Sequence, residues 1–148
     1  STPKPSSAAS DVYKRQMLNG GSAVPLWNTW LDGMQEAAPA SDEVDVAGLK
    51  AMFAGAFTAL DEMSGAKVGD KTMMDALIPA VQAAQQTQGD CKAILEVAAQ
   101  AAQEGAKASE QFISKFGRAR SYKEQTIGTP DAGATSMAYF FKGLSKAN

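Results

Sequence analysis

The chain has 148 residues, enough for one domain, and is 45% apolar but only 7% aromatic, so its core has to rest on Ala, Leu, Met, Val and Ile. A formal net charge of -2 excludes a broad basic face of the kind that neutralises nucleic-acid phosphates. With no histidine, the commonest general base and metal ligand is missing, and any metal site has to use oxygen donors, which suits Mg2+.

Residues 1–16 mix Ser, Pro and Lys without an amphipathic period, and read as a non-native or disordered leader set apart from the domain at 17–148. After it, Gly20-Gly21-Ser22 precedes Pro25 and then Leu26, Trp27, Trp30, Leu31 and Met34 at helical spacing. Ser22 or Gly21 can cap this helix, and Pro25 is tolerated in a first turn. A loop over 37–42 follows. A second helix is expected over 44–63, with Leu49, Met52, Phe53, Ala56, Phe57 and Leu60 on one face, ended by Ser64-Gly65.

A loop over 66–71 leads to a third helix over 72–86, whose core side is Met73, Leu77, Ile78 and Val81. Asp90 is an N-cap for a fourth helix that is expected to reach Phe116, with a possible bend or break at Gly105. Its face of Ile94, Leu95, Ala98, Ala102, Gly105 and Phe112 is rich in small residues, which permits close helix packing. A long loop over 117–133 precedes a last helix over 134–144 carrying Met137, Tyr139, Phe140 and Phe141. No stretch shows the two-residue alternation of a strand. The pattern describes an all-α, antiparallel up-and-down helical bundle with five to six helices.

Single features are less informative. Cys91 stands alone, so no internal disulfide forms; it reads as a small packed residue in a reducing compartment, and the cytoplasm is the expected location. No apolar run reaches the ~20 residues that span a bilayer. Arg118, Arg120 and Lys123 fall in one loop and, on composition alone, describe a solvated cluster.

Three glycine-containing segments each precede a helix: Asn19-Gly20-Gly21-Ser22, Gly69-Asp70-Lys71-Thr72 and Gly128-Thr129-Pro130-Asp131-Ala132-Gly133. Helix starts attract anions through exposed N–H groups and the positive dipole end, although many bundles use such loops only to turn.

The residue identities carry more weight. Gly69-Asp70-Lys71-Thr72-Met73-Met74-Asp75-Ala76-Leu77 resembles the GDKTM-x-DAL signature of the dihydroxyacetone kinase L-subunit family. The stretch from Gly117-Arg118-Ala119-Arg120-Ser121-Tyr122 through Ile127-Gly128 to Asp131-Ala132-Gly133-Ala134 is similar to that family's GRASYLGERSIGHxDPGA. Gly20-Gly21-Ser22-Ala23-Val24-Pro25-Leu26 is similar to its GGxSGPL. The three occur in the family's order.

That resemblance implies a barrel of eight antiparallel helices binding ADP or ATP with Mg2+ at one end. The domain would deliver a phosphoryl group to a small ketose, such as dihydroxyacetone, held covalently by histidine on a partner K subunit. In one version a phosphotransferase-system subunit recharges a resident ADP; in another ATP is exchanged as substrate. Carried over by match, Gly21, Ser22 and Ala23 line the phosphate site, Gly65, Thr72 and Met73 border the nucleotide, Arg118 sits against it as a cation, and Asp131, Ala132 and Gly133 form the turn that closes over it. No residue is assigned a catalytic role.

The chain departs from the family at several positions. Ala23-Val24 replaces Ser-Gly, Ala132 replaces proline, Gln125 replaces Arg, and Thr129 replaces His; Arg120 and Lys123 stand where the family has Ser and Gly. The family's Mg2+ ligands lie on an upstream stretch of the form GDGDHG. Asp11 is the only acid before Asp32, so no metal ligand is assigned here, and the chain as written is expected to be inactive as a truncated form of an active parent. Two other functions fit the same residues: the L-like domain of a fatty-acid kinase, and a non-catalytic helical scaffold or regulator.

Overall fold

The computed structural model describes residues 2–3, 23–40, 43–115 and 127–147. They form five α-helices: α1 (Ala23–Ala37), α2 (Val46–Ser64), α3 (Met74–Gln86), α4 (Cys91–Ala108) and α5 (Ala132–Lys146). A 3-10 turn, Ser109–Gln111, follows α4. The chain divides into two compact units, Ser1–Gly65 and Ala66–Asn148.

In the first unit α1 packs on α2. Trp27, Trp30, Leu31 and Met34 from α1, and Leu49, Met52, Phe53, Ala56 and Leu60 from α2, are all buried. The rings of Trp30 and Phe53 stack with centroids 6.2 Å apart. Each large side chain so buried contributes about 1.5–3 kcal/mol. Of the faces expected from the sequence, Phe57 and Leu26 are only half-buried. Helix α2 starts where the Asp45 carboxylate accepts the Gly48 N–H at 2.7 Å, and stops at Gly65, whose φ of 66° lets its N–H reach the Asp61 carbonyl. The sequence showed no strand, yet Thr2–Pro3 (β1) pairs antiparallel with Glu43–Val44 (β2). This two-residue pairing leaves the fold all-α. Apart from Thr2 and Pro3, the leader lies outside the described residues.

The second unit packs α3, α4 and α5 on one another. Its core combines Leu77, Ala80 and Ala84 with Ile94, Leu95, Ala98 and Ala102, and with Ala134, Met137 and Phe141. Small residues bring α3 and α4 into backbone contact. A β-carbon on Gly105 would lie 2.1 Å from the Asp75 carbonyl oxygen. The position of that oxygen has a cause in the sequence. Pro79 sits inside α3 four residues after Asp75, so it offers no N–H to this carbonyl, and its ring crowds it. Gly105 is therefore where α4 makes room, and the helix runs through it without a break.

Two boundaries differ from those expected. Helix α4 ends at Ala108 rather than Phe116, because the chain tightens into the 3-10 turn and then extends at Phe112 (φ -98°, ψ 152°). Helix α3 begins at Met74, with Thr72 and Met73 forming a tighter turn ahead of it. Ile78 is half-buried, and Tyr139 is exposed.

Candidate functional site

The second unit brings two of the three glycine segments together. The turn before α3 is closed by a reciprocal cap: the Met74 N–H donates to Thr72 Oγ1 at 3.1 Å, and the Thr72 N–H donates to Asp75 Oδ2 at 2.7 Å. The other Asp75 oxygen accepts the Gly69 N–H at 2.7 Å. Asp75 is only 1% exposed. Burial pushes its carboxyl above the usual range, the Gly69 and Thr72 N–H groups pull it down, and nearby Asp70 adds to the rise.

The turn before α5 is anchored at Asp131. Its carboxylate caps the helix by accepting the Ala134 N–H at 2.8 Å, and its own N–H donates to Ser109 Oγ at 2.8 Å. Ser109 is fully buried and donates in turn to the Ala106 carbonyl. Burial also raises the Asp131 carboxyl; the Ala134 N–H lowers it, Asp75 raises it further, and Lys71 lowers it. On the outer side, Asp70 is held below the usual range, chiefly by the Lys67 N–H at 2.9 Å, with help from Lys115 at 3.1 Å.

These two turns touch. A β-carbon on Gly133 would stand 3.3 Å from Met73 Cβ and 3.4 Å from Met73 N, so a larger residue there would push into the Met73 turn. Thr72, Met73, Asp131, Ala132 and Gly133 thus share one end of this unit, where α3 and α5 both begin.

The remaining residues of the sequence-based set belong to the first unit or lie outside the described residues. Gly65 closes α2 in the first unit, and Ala23 opens α1. Gly21, Ser22 and Arg118 lie outside the described residues, as do the departures at Arg120, Lys123 and Gln125. Three side chains at this end were not singled out from the sequence: Lys71, Asp75 and Ser109. The capping spacing of Thr72 and Asp75 was a readable signal for one of them. A groove of about 370 Å³ runs between α4 and α5, past Gln103, Tyr139 and Lys142; none of the sequence-based site residues lines it.

Residues 3–146 match the profile of the DAK2 domain. The chain belongs to the DAK2 domain family. It is 34% identical to a D-erythrulose kinase of Mycolicibacterium smegmatis, over 80% of this chain and 21% of that protein. It is 29% identical to the ADP-binding subunit DhaL of the PEP-dependent dihydroxyacetone kinase of Escherichia coli, over 86% of this chain and 62% of that one. The DAK2 domain described here therefore spans only part of the curated relatives it matches. The dihydroxyacetone kinase of C. freundii, in complex with AMP-PNP and Mg2+, superposes with a TM-score of 0.56 at 26% identity, covering 93% of this chain and 22% of that one.

Proposed function

We propose that this DAK2 domain is the nucleotide-binding part of a phosphotransferase that acts on a small ketose of the dihydroxyacetone type, held on a partner K subunit. The observation that carries the reading is the contact between the Thr72–Met73 turn and the Asp131–Gly133 turn. Two helix starts lie side by side, so their positive dipole ends act on one anion. Gly133, with no β-carbon, is what lets the two turns come into contact at Met73.

The assignment of Thr72, Met73, Asp131, Ala132 and Gly133 to the nucleotide rests on this juxtaposition and on the family's signatures. Gly21, Ser22, Ala23, Gly65 and Arg118 complete the proposed set by resemblance. The kinds of relative matched, erythrulose and dihydroxyacetone kinases, support a small ketose as the acceptor, and the DhaL relatives, ADP-binding subunits of PEP-dependent kinases, support a multi-subunit enzyme. A cytoplasmic location and a phosphotransferase-system donor are proposed by resemblance.

Bound nucleotide supplies the transferable phosphoryl group; the chain's own task is to hold it still. Met73 is 3% exposed, so its backbone is fixed by packing, and Asp131 is tied at both its N–H and its carboxylate. Groups fixed in advance act on developing charge without reorganising. Among the described residues no group of three or more acidic or cysteine side chains is placed to hold a metal ion, and the Asp75 and Asp131 carboxylates are already engaged by backbone N–H groups. The described residues at this end thus do not fit a Mg2+ site.

Calorimetric titration with ADP, with and without Mg2+, tests the reading. The chain is expected to bind ADP, and Gly133→Val to weaken binding at least tenfold, about 1.4 kcal/mol, with helix content unchanged. No heat with ADP or ATP in either condition would defeat the nucleotide assignment. Equal affinity in the variant would defeat its placement at Gly133.

A further inference from the structure

Lys71 has the one positive φ of any non-glycine among the described residues, 60°, and is 4% exposed. Side chains with a β-carbon rarely adopt that backbone conformation, and an ammonium is rarely buried. Both features persist only where the surroundings over-determine them. Here they do. The Lys71 ammonium donates to the Ser109 carbonyl at 2.7 Å and, through a short contact, to the Thr129 carbonyl. Its partners lie 38 and 58 residues away in sequence, one on the 3-10 turn after α4 and one on the loop before α5.

The two carbonyls flank the elements that anchor Asp131. Ser109 Oγ accepts the Asp131 N–H, and Thr129 lies two residues ahead of Asp131. The ammonium therefore fixes both approaches to the turn that carries Gly133, from a residue adjacent to Thr72. Where the family has His in place of Thr129, the side chain changes, but the group Lys71 uses is the backbone carbonyl.

We infer that Lys71 is a positioning residue that clamps the 127–133 turn against the Thr72–Met73 turn, holding the two halves of the proposed nucleotide site in register. The inference rests on the nucleotide reading for its functional consequence, but its mechanical content stands separately.

The test combines ADP titration with amide hydrogen exchange on the intact chain and its Lys71→Met, Lys71→Gln and Lys71→Arg variants. Lys71→Met is expected to reduce exchange protection of the Gly128, Asp131 and Ala134 amides at least tenfold, while the cores of α3 and α4 stay protected. ADP affinity should fall at least tenfold, and Lys71→Arg, which keeps a donor and the charge, should recover most of both. If the unmodified chain shows no ADP binding, the nucleotide reading fails, and the exchange data alone decide the clamp. Protection and affinity within twofold of the unmodified chain in Lys71→Met and Lys71→Gln would overturn it. So would global unfolding of both variants, since Lys71 would then determine the fold rather than position one turn.

Discussion

Gly105→Val should destabilise the second unit by roughly 3 kcal/mol, the upper end of what overpacking costs, and lower its melting temperature by on the order of 10 °C. The reason is which atom is in the way. A β-carbon at this position meets the Asp75 carbonyl oxygen at 2.1 Å and Ala76 Cα at 3.1 Å. These are backbone atoms, which cannot rotate aside as a side chain can. Relief requires α3 and α4 to separate, and separation uncovers Leu77, Ala80, Leu95, Ala98 and Ala102 along their seam. Gly143→Ala is the matched control. It lies in α5 with nothing within 4 Å of the new β-carbon. There the intrinsic preference of alanine for helix decides, and up to about 1 kcal/mol of stabilisation is expected. Thermal unfolding followed by circular dichroism measures both. Comparable melting temperatures for the two variants would show that the helices do not meet at Gly105.

The contrast between these glycines shows what the sequence could and could not convey. Periodicity placed all five helices, and local chemistry placed several ends: Asp90 caps α4 by accepting the Ala93 N–H at 2.9 Å, and Gly65 closes α2. Such signals are local, so they survive in a single sequence. Gly105 was legible only as a weak point in a helix, because its partner, the carbonyl freed by Pro79, lies on another element. The end of α4 was misjudged because nothing in Ser109-Glu110-Gln111-Phe112 forbids helix. Of the site, the adjacency of Met73 and Gly133 was reachable through the resemblance, since two signatures of one family imply one site. Lys71 and Ser109 were not, because the groups their side chains bind are backbone atoms, which carry no sequence identity.

Asp75→Ala should cost the second unit roughly 2 kcal/mol, because it leaves the Gly69 and Thr72 N–H groups without the acceptor they share, and an orphaned buried donor costs about 1–3 kcal/mol. The loss is partly offset, since a buried negative charge is removed as well. Asp75→Asn separates the two effects through pH. The Asp75 and Asp131 carboxyls are both raised, by burial first and by a neighbouring carboxylate in addition. A raised carboxyl means that the folded state binds more protons than the unfolded state, whose value stays near 3.8. Its stabilising contribution is thus complete below that value and declines as pH rises through the folded value. Asp75→Asn carries no titration of its own, and by removing one charge it also relieves part of the rise at Asp131. Urea midpoints compared between about pH 4 and about pH 7 should therefore move in favour of Asp75→Asn as pH increases. Movement in favour of the unmodified chain would mean that the two N–H groups outweigh burial at Asp75, and that the turn before α3 is organised around a carboxylate the fold prefers charged.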